Sequence, residues 1–461
     1  MRKLSLLIIL LFSVVTVQAQ WLSQASGFSD PSQGINQIVI TDSLTAWGTG
    51  FDGPNVLHLQ EYTRTTDGGA TWVPGNVTAA QSTYEWSCFA AVDDQNAWAM
   101  FYDAAVSAQG GIFRTSDGGQ SWTQQGYGQI YSAATSFPDV LYFWDVNNGV
   151  AVGDPINNEY EIYTTTDGGT SWTPVAGANI PNPTSGEFGL TRSFGVRGNT
   201  FWFGTNKGRV FKTTDYGATW SVSSTGTTDA IVSVDFANDN EGWVELSNNS
   251  TFVFKSLRRT TDGGATWTNI TPAGTFYNAS VNGGIAFVPY TAYTLVASGY
   301  YINTNTSDTS FGSAYSLDAG NTWVTIDSFA PGGPWHFAVS FLNNTIGYSG
   351  DLNFDDVTYG MWKYSGAFVA TDIQNVADNY KFKIYPNPSS GLFYFSFDAQ
   401  NNLPIHARVT NAIGKVVFDK NYKDKSQTWL RSIDLRNFSK GTYFLDLENN
   451  GNHQAQKLVV N

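Results

Sequence analysis

An eight-residue box that occurs six times limits the folds open to this chain more than any other feature. The first copy, residues 65–72, reads Thr-Thr-Asp-Gly-Gly-Ala-Thr-Trp, and every copy keeps the Asp, the Trp and at least one Gly. The box aspartates lie 47 to 56 residues apart, at Asp67, Asp117, Asp167, Asp215, Asp262 and Asp318. A period of about 50 residues indicates repetition of one small structural unit, so the boxes predict a repeated fold.

Each box predicts a tight turn between two β-strands. Short strand-like runs flank the copies, for example residues 111–114 before a box and 121–124 at its end. The glycines permit the positive φ angles of a hairpin turn, and the Asp can accept hydrogen bonds from N–H groups of its own turn. The Trp returns along the second strand and can cover the turn. We therefore predict a structural role for all six box aspartates.

The pattern Ser/Thr-x-Asp-x-Gly-x-Thr/Ser-Trp resembles the Asp box, or BNR repeat, of sialidases, xyloglucanases, sortilin-type receptors and photosystem assembly factors. The resemblance implies a β-propeller whose boxes lie on the face away from the ligand. The repeats are most similar to those of the photosystem-assembly-factor type of propeller, which is a binding scaffold. Here this likeness implies a scaffold, with no link to photosynthesis.

A second pattern, a strand, a polar turn and another strand, occurs seven times, for example at residues 91–98 and 341–348. The seventh unit continues to residues 360–364 but has no box and no fourth strand. Residues 20–24, Gln-Trp-Leu-Ser-Gln, resemble the strands that follow the boxes. We predict that they fill the outer position of the last sheet, so that residues 20–370 close an all-β, seven-bladed β-propeller without an open sheet edge.

The two ends of the chain predict export. Residues 1–19 combine Arg2 and Lys3 with an apolar run and small residues before Gln20, which is typical of a secretory signal peptide. Later apolar runs are shorter than the ~18 residues of a membrane helix, so we predict no transmembrane segment.

After a predicted linker at residues 371–380, residues 381–461 alternate short strands with Gly or Asn turns and predict a small C-terminal β-sandwich. Tyr-Pro-Asn-Pro at 385–388, Gly-Lys-Val at 414–416 and Gly-Thr-Tyr at 441–443 resemble the type A C-terminal sorting domain of the Bacteroidetes type IX secretion system. The resemblance implies passage through the periplasm and the outer membrane by the type IX machinery, and a secreted or cell-surface location.

The charge differs between the two regions. Residues 20–370 contain 30 Asp plus Glu against 11 Lys plus Arg, whereas residues 371–461 contain 8 against 11. An acidic surface repels polyanions, so the repeat region is not expected to bind nucleic acid or polyanionic glycans. The single cysteine, Cys88, excludes an intramolecular disulfide and is expected to be a small core residue.

Acidic and aromatic residues on the long loops opposite the boxes are the candidates for a ligand site. We predict ligand-binding roles for Asp103, Asp154, Glu187, Arg192, Trp335 and Asp351. Asp139 and Asp229 are further acids expected on these loops, and Trp86, Tyr160, Phe188 and Tyr301 are further rings on which a sugar could stack. No particular pair of acids stands out as catalytic.

Sialidase chemistry is not favoured. It requires three converging arginines with a Tyr/Glu pair and an acid. Four arginines directly precede boxes and are expected to be structural: Arg64, Arg114, Arg258 and Arg259. The other three, Arg192, Arg197 and Arg209, belong to one repeat unit. The four histidines show no metal-ligand spacing and no triad, and His336 is expected in an inner strand.

A calcium loop is one interpretation of residues 351–362. Asp351, Asn353 and Asp355 alternate like the first ligands of such a loop, but the Gly expected at position six and the Glu expected at position twelve are missing. An Asx-turn loop without a metal is the other interpretation. No other cofactor is predicted.

Two functions remain open from the sequence. The first is a secreted or cell-surface, non-catalytic propeller that binds an extracellular protein or glycan. The second is a glycoside hydrolase acting on an extracellular polysaccharide, similar to a xyloglucanase. Two acids about 5–10 Å apart across a groove lined with aromatic rings would favour the hydrolase, whereas scattered acids, or acids paired with Arg192, would favour binding.

Overall fold

The computed structural model of this chain describes residues 21–30, 33–52, 58–251, 253–278, 284–302, 308–330, 335–351, 360–368, 382–398, 405–411, 415–422, 428–449 and 452–461. The predicted signal peptide (1–19) and linker (371–380) lie outside these ranges. Within the ranges, nearly all regular structure is β-strand, beside a short 3-10 helix at Gly177–Asn179. No helix among these residues is long and apolar enough to cross a membrane.

Seven sheets fill the described chain up to Tyr364, and their strands pair antiparallel except for one short strand of sheet 6. Strand β1 (Trp21–Ala25) comes first. Sheet 1 contains β2 (Gln33–Ile40), β3 (Ala46–Asp52), β4 (Glu61–Thr65) and β5 (Val73–Asn76). Sheet 2 contains β6 (Tyr84–Ala91), β7 (Ala97–Asp103), β8 (Ala108–Thr115) and β9 (Thr123–Gln125). Sheet 3 contains β10 (Pro138–Phe143), β11 (Gly149–Ile156), β12 (Glu159–Thr165) and β13 (Thr173–Pro174).

The next two sheets repeat this order, sheet 6 has an additional short strand that pairs parallel with its last strand, and sheet 7 is completed by β1. Sheet 4 contains β14 (Gly189–Arg197), β15 (Thr200–Thr205), β16 (Arg209–Thr213) and β17 (Ser221–Ser224). Sheet 5 contains β18 (Ala230–Phe236), β19 (Gly242–Ser247), β20 (Phe254–Thr260) and β21 (Thr268–Ile270). Sheet 6 contains β22 (Ala273–Gly274), β23 (Ile285–Phe287), β24 (Leu295–Ile302), β25 (Thr309–Ser316) and β26 (Thr322–Phe329). Sheet 7 contains β27 (His336–Phe341), β28 (Gly347–Asp351), β29 (Gly360–Tyr364) and β1.

The inner strand is the first strand of sheets 1 to 5, β23 in sheet 6 and β27 in sheet 7, and the strand paired with it is called the second strand. The seven inner strands form a ring. Each inner strand packs against that of the next sheet, and β27 of sheet 7 packs against β2 of sheet 1. The second strands are buried between neighbouring sheets; β15, which reads Thr-Phe-Trp-Phe-Gly-Thr, is buried at every position. A ring of radially arranged sheets is a β-propeller, so the all-β propeller predicted from the boxes is confirmed.

The six boxes share one hydrogen-bonded turn. In the first, the Asp67 carboxylate accepts bonds from Thr65 Oγ1 at 2.8 Å, Thr71 N at 2.9 Å and Thr71 Oγ1 at 2.6 Å. Gly68 and Gly69 have φ angles of +72° and +82°, which a residue with a side chain adopts only with strain. The other five box aspartates bind their own turns in the same way.

The boxes also join neighbouring sheets. The indole of Trp98, in the second strand of sheet 2, donates to the carbonyl of Gly168 in the box of sheet 3 at 2.9 Å. Arg114, directly before the box of sheet 2, donates to the same carbonyl at 3.2 Å and lies over the Trp98 ring. Trp202 and Lys212 bind the Gly263 carbonyl of the next box in the same manner. The structural role expected of Arg114 is therefore confirmed.

The first and last sheets are joined as the sequence predicts. Strand β1 pairs antiparallel with β29, with Trp21 opposite Tyr364, and so provides the outer strand of sheet 7. Lys363, next to Tyr364, donates from Nζ to the Gly68 carbonyl in the box of sheet 1 at 2.6 Å. The N-terminal strand thus covers the edge of β29 that would otherwise be open.

The C-terminal region forms two further sheets. One consists of β30 (Phe382–Tyr385), β31 (Leu392–Asp398) and β34 (Thr428–Asp434); the other consists of β32 (Ile405–Asn411), β33 (Val416–Tyr422), β35 (Gly441–Asn449) and β36 (Asn452–Val460). Phe393 and Phe395 of the first sheet pack against Val409, Leu445 and Leu458 of the second, all of them fully buried. This arrangement agrees with the predicted small β-sandwich.

Candidate functional site

The strand order defines two faces of the propeller. In sheet 1 the turn after the inner strand lies beside the box turn, because Gly68 N donates to the Leu44 carbonyl at 2.8 Å. The face that holds these turns is called the box face, and inner strands end there. The opposite face, where inner strands begin and second strands end, is called the loop face. The sequence predicts the ligand on the loop face.

A cavity lies on the propeller axis, with a volume of about 360 Å³. Its wall is formed by residues of all seven inner strands or their starts: 36–40, 89–91, 142, 192, 194–197, 232–235, 284–287 and 338–341. Most of these residues stand near the box-face ends of their strands, so the cavity occupies mainly that half of the channel. Arg192, near the beginning of β14, marks its inner end.

Arg192 is held in an unusual conformation. Strands β14 and β15 pair at Gly189 and again from Phe194, with a shift of register between them, and Arg192 in this interval has a φ angle of +63°. Among the described residues, no acceptor lies within hydrogen-bond distance of its Nε and Nη1 atoms, which are shielded from solvent. Burial lowers the pKa of the guanidinium to about 10, and its charge still acts on Cys88 and Tyr102 of sheet 2. The structure thus leaves two nitrogens of a half-buried guanidinium without an acceptor in the described chain.

The other two arginines of sheet 4 are paired. Arg197 Nη2 lies 2.9 Å from Asp235 Oδ1 near the box face. Arg209 Nη1 lies 2.5 Å from Glu187 Oε2. The Glu187 carboxylate, predicted to bind ligand, also accepts from Thr184 N and Oγ1 and from Thr205 Oγ1. Its oxygens are therefore engaged within the protein.

A cluster that the sequence did not predict lies at the loop face of sheet 2 and consists of Glu85, Tyr102 and His58. Tyr102 donates a short hydrogen bond to one oxygen of Glu85, and His58 contacts the other. The Tyr102 ring packs on Phe137 with centroids 4.9 Å apart. Burial and the bond to Glu85 raise the pKa of Tyr102 above its usual value, and the nearby Arg192 opposes this rise. The only signal in the sequence was a Tyr and a Glu at opposite ends of one hairpin.

Two carboxyls of sheet 3 lie beside each other, next to Gly189. Asp139 is 1% exposed, and half-buried Asp154 accepts from Gly189 N at 3.0 Å. Burial raises the pKa of Asp154 to about 6, and burial together with the Asp154 charge raises that of Asp139 further. Burial and the mutual repulsion of the two carboxyls thus both disfavour a second negative charge at this place. Asp154 is a predicted ligand residue, but its carboxyl faces another carboxyl.

Asp103 and Asp351 accept hydrogen bonds from backbone N–H groups. Asp103 Oδ1 accepts from Ala105 N at 3.0 Å in the turn after β7. Asp351 is fully buried and accepts from Trp335 N at 2.8 Å, and burial raises its pKa. Asn353 and Asp355 lie outside the described residues, so calcium remains a prediction. Within the described ranges, no group of three or more His, Cys, Asp or Glu side chains is arranged to hold a metal ion.

Aromatic rings form a row across sheets 6, 7 and 1. Trp335, predicted to bind ligand, packs on Phe311 with centroids 4.9 Å apart and on Phe337 at 5.6 Å. Phe337 stacks on Phe51 of sheet 1 at 5.7 Å. Trp335, Phe311 and Phe51 are half-buried and stand near the loop face. The structure thus places Trp335 among aromatic neighbours, away from the acid pair of sheet 3.

Two of the rings expected to stack on sugars are core residues. Trp86 is 6% exposed and packs on Phe101 at 4.3 Å, and Tyr160 is 3% exposed and packs on Phe211 at 4.8 Å. The prediction of a platform role was wrong for both, because each lies between neighbouring sheets. Phe188 is 43% exposed, and Tyr301 is half-buried. Asp229 accepts from Thr227 Oγ1 in its own turn at 2.6 Å.

A Ser-His-Asp row joins sheets 6 and 7. His336 Nε2 lies 2.7 Å from Asp327 Oδ2, and His336 Nδ1 lies 2.7 Å from Ser349 Oγ. The sequence predicted His336 in an inner strand, which is confirmed, but it gave no sign of this row because the residues come from three strands. Ser349 and His336 are fully buried, so the row cannot present a nucleophile to a ligand. It ties two sheets together.

Comparison with known proteins identifies the C-terminal region. Residues 383–461 match the family described as the secretion system C-terminal sorting domain. This match confirms the type IX sorting domain expected from the sequence, and it indicates export to the cell surface or the extracellular space. No curated protein matches the chain.

Solved structures that resemble the chain in fold include two propellers. The structure of YCF48 bound to D1 peptide has a TM-score of 0.51 at 15% identity, and the alignment covers 76% of this chain and 95% of that one. The GH74 enzyme of Niastella koreensis has a TM-score of 0.51 at 14% identity, with coverage of 94% and 74%. At these identities the likeness shows the fold, which is the predicted propeller.

Proposed function

We propose that this exported protein is a non-catalytic binding propeller, which holds an extracellular protein or glycan on the propeller axis. The observation that carries the proposal is the axial cavity, whose wall includes Arg192, an arginine with two nitrogens that find no acceptor in the described chain. A buried cation without a counter-ion lowers stability. The presence of Arg192 on the axis is explained when an anionic group of a ligand supplies the counter-ion.

The acids support binding over hydrolysis. A glycosidase of the usual type holds two carboxyl groups about 5–10 Å apart on either side of the scissile bond. Asp139 and Asp154 instead lie beside each other in one sheet, Glu187 is paired with Arg209, and Asp351 is fully buried. None of these acids faces another across the axial cavity, since none lines it.

The arginines argue against sialidase chemistry in the same way. The Tyr/Glu pair that such an enzyme requires has a counterpart in Tyr102 and Glu85. Of the three arginines of sheet 4, however, Arg197 and Arg209 already hold carboxylates of the protein itself. A single free guanidinium can anchor a ligand but does not form an arginine triad.

The solved structures lend support to both classes. In one of them YCF48 is bound to a peptide, which agrees with a binding role for this fold. The other is a GH74 enzyme, and the raised pKa of Asp154 gives a glycoside hydrolase a specific candidate acid. Hydrolysis of an extracellular polysaccharide is therefore the alternative function.

Binding and turnover should be measured on the same purified full-length chain. We expect binding to members of a peptide or glycan array, and no reducing ends released from the same polysaccharides. Reducing ends that disappear in Asp154→Asn would replace the proposal by the alternative. Glu159→Gln, at an exposed acid of the neighbouring strand, is the matched control for that variant. Absence of binding to every array would also overturn the proposal.

A further inference from the structure

The box of sheet 4 differs from the other five in the residue that follows its Asp. Four boxes have Gly at this position, with φ angles of +71° to +74°: Gly68, Gly118, Gly168 and Gly263. The sixth box has the small Ala319, whereas the box of sheet 4 has Tyr216 at a φ angle of +60°. A large side chain strains the backbone at this angle, and such strain persists where the side chain has a role. The ring of Tyr216 therefore requires an explanation beyond the turn.

The Tyr216 ring belongs to a row of three aromatic residues that runs from the propeller axis to the outside of the box face. Tyr142 lines the axial cavity, Trp144 stands in the turn after β10, and Tyr216 lies in the neighbouring box. Ring centroids are 5.2 Å apart between Tyr142 and Trp144 and 5.0 Å apart between Trp144 and Tyr216, both edge to face. Tyr216 is 39% exposed, and the other two rings are half-buried. The row thus continues the cavity wall to the protein surface.

Polar groups accompany the three rings. Trp144 donates from Nε1 to the Gly198 carbonyl at 3.1 Å, and the Tyr216 hydroxyl donates to Asn199 Oδ1 at 2.8 Å. Asn199 is exposed, and with its oxygen engaged it offers its amide nitrogen as a donor. Burial raises the pKa of Tyr142 to about 12, so its hydroxyl stays protonated at neutral pH. Rings beside amide and hydroxyl groups match the two parts of a sugar, an apolar C–H face and a rim of hydroxyls.

An extended peptide finds few backbone partners in the cavity. Gln37 of β2 binds both the N–H and the carbonyl of Phe89 in the next inner strand, at 2.9 and 3.0 Å. Asp235 of β18 accepts in the same way from Phe287 N at 2.7 Å. Addition of a peptide strand needs unoccupied N–H and C=O groups along an edge. These contacts between inner strands therefore favour a glycan over a peptide.

The charge of the propeller favours neutral sugars at this place. Residues 20–370 contain 30 acidic against 11 basic residues, so a polyuronate or a sulfated glycan meets general repulsion. Arg197, which also lines the cavity, is neutralised by Asp235. Arg192 lies at the inner end of the cavity and takes no part in the aromatic row. Uncharged sugar residues meet no such repulsion.

From these contacts we infer that the row of Tyr142, Trp144 and Tyr216 binds neutral sugar residues of an extracellular glycan, which approaches the axial cavity from the box face. The inference rests on the proposed binding function and names its ligand class. It differs from the expectation drawn from the sequence, which puts the ligand on the loop face. The cavity itself lies mainly in the box-face half of the channel, where the row begins.

The first test follows Trp144 in the full-length chain. With ¹⁵N-labelled tryptophan, its indole N–H resonance is assigned by its loss in Trp144→Phe, and neutral hexasaccharides of glucose, mannose, xylose and galactose are titrated in separately. We expect a saturable shift of this resonance with at least one of them, and at least about tenfold weaker binding of hexagalacturonate, which is charged at every residue. No shift with any neutral probe, or equal binding of hexagalacturonate, would overturn the inference.

Stability separates a ligand-binding Tyr216 from a structural one. Tyr216→Gly relieves the strained angle, so the melting temperature should change little while binding of the hexasaccharide falls at least about fivefold. Tyr216→Asn repeats the test without the flexibility of Gly, since Asn also tolerates a positive φ angle. Tyr293→Ala is the matched control, because Tyr293 is a 42% exposed ring beside the box of sheet 6, outside the row.

The control variant should bind the hexasaccharide as the wild type does. Unchanged binding in Tyr216→Gly, or an equal loss in Tyr293→Ala, would count against the row as the site. A clear fall in melting temperature in both variants of Tyr216 would assign this residue to the fold and overturn the inference.

Glycan and peptide arrays then relate the inference to the proposed function. Binding to neutral glycans that is lost in Tyr216→Gly supports both. Binding to peptides alone, or to glycans irrespective of Tyr216, leaves the binding function standing and overturns the role of the row. Release of reducing ends from a hexasaccharide that shifts the Trp144 resonance has the opposite meaning, because the sugar site then stands and the non-catalytic function does not.

Discussion

Aspartate carboxyls in this protein respond to their surroundings in opposite directions. In the box, hydrogen bonds from the side chain and backbone of Thr71 lower the pKa of Asp67 to about 2. In sheet 3, burial raises the pKa of Asp154 to about 6. The box carboxylate therefore stabilises the fold above about pH 4, and this stabilisation is lost as the pH falls toward 2. The pair of Asp139 and Asp154 behaves in the reverse sense, because raised pKa values make the fold less stable as the pH rises.

Asp154→Asn should become more stable relative to the wild type as the pH rises. The unfolded Asp154 loses its proton near pH 3.8 and the folded one near pH 6, so the wild type loses stability across this interval. Asn carries no charge and avoids the loss. We expect the difference in free energy of unfolding to move in favour of the variant by about 1–3 kcal/mol between pH 4 and pH 7.

Urea unfolding at pH 4, 5.5 and 7 measures this difference. Glu159→Gln is a matched control, because Glu159 is exposed on the neighbouring strand β12 and its replacement should change little at any of these pH values. A difference between Asp154→Asn and the wild type that stays constant with pH would show that Asp154 does not hold a raised pKa in the folded protein.

At the scale of elements, the link between a second strand and the next box holds adjacent sheets together. Trp98 lies flat on Phe143 of sheet 3, with centroids 3.6 Å apart, and bonds the Gly168 carbonyl through a buried N–H. Trp98→Phe should lower the free energy of unfolding by about 1–3 kcal/mol, since it removes this bond and leaves a small cavity. Chemical denaturation at pH 7 measures the loss.

Trp144→Phe provides the comparison for that variant. Trp144 also donates to a glycine carbonyl, that of Gly198 at 3.1 Å, but its bond is exposed to water. The same substitution should therefore cost only ~0.5 kcal/mol or less there. Equal losses for the two variants would mean that the buried link between sheets adds nothing beyond an ordinary indole contact.

The sequence predicted the elements well because their determinants are local. The box turn depends on residues within eight positions of one another, and all six copies showed the same order. The loop-face cluster and the carboxyl pair could not be predicted as readily. Asp139 and Asp154 stand on two paired strands of sheet 3, so their contact depends on the strand register. Arg192 acts on Tyr102 from another sheet, so that contact depends on how sheets pack. Trp86 shows the same limit, because its neighbours in the sequence do not indicate that its ring will be buried.

At the scale of the whole molecule, the N-terminal strand completes the ring. The sequence indicated this from seven strand patterns against six boxes, and the pairing of β1 with β29 bears it out. The structure adds side-chain contacts that a count of strand patterns and boxes could not reveal. Trp21 Nε1 donates to Ser313 Oγ at 2.8 Å, and Ser313 donates to Asp327, the partner of His336. One strand thus reaches both sheet 7 and sheet 6.

Removal of the Trp21 side chain tests whether this closure stabilises the entire ring. The indole is 7% exposed and packs on His336, Phe341 and Tyr364 at 5.4 to 5.9 Å between centroids. Trp21→Ala should lower the free energy of unfolding by about 3–5 kcal/mol in urea, as for other buried tryptophans. Leu22→Ala, on the same strand but 53% exposed, should change it by ~0.5 kcal/mol or less.

Hydrogen exchange shows how far the effect of Trp21→Ala extends. In a closed ring that opens as one unit, losing the closure lowers protection everywhere, including sheet 4, which lies on the far side from β1. In a linear array of repeats, each sheet depends mainly on its neighbours, and protection falls only near the lost contact. Faster exchange in β15 of sheet 4 therefore supports a cooperative ring. Faster exchange confined to sheets 6, 7 and 1 would mean that the N-terminal strand protects one local edge and that the remaining sheets hold together without it.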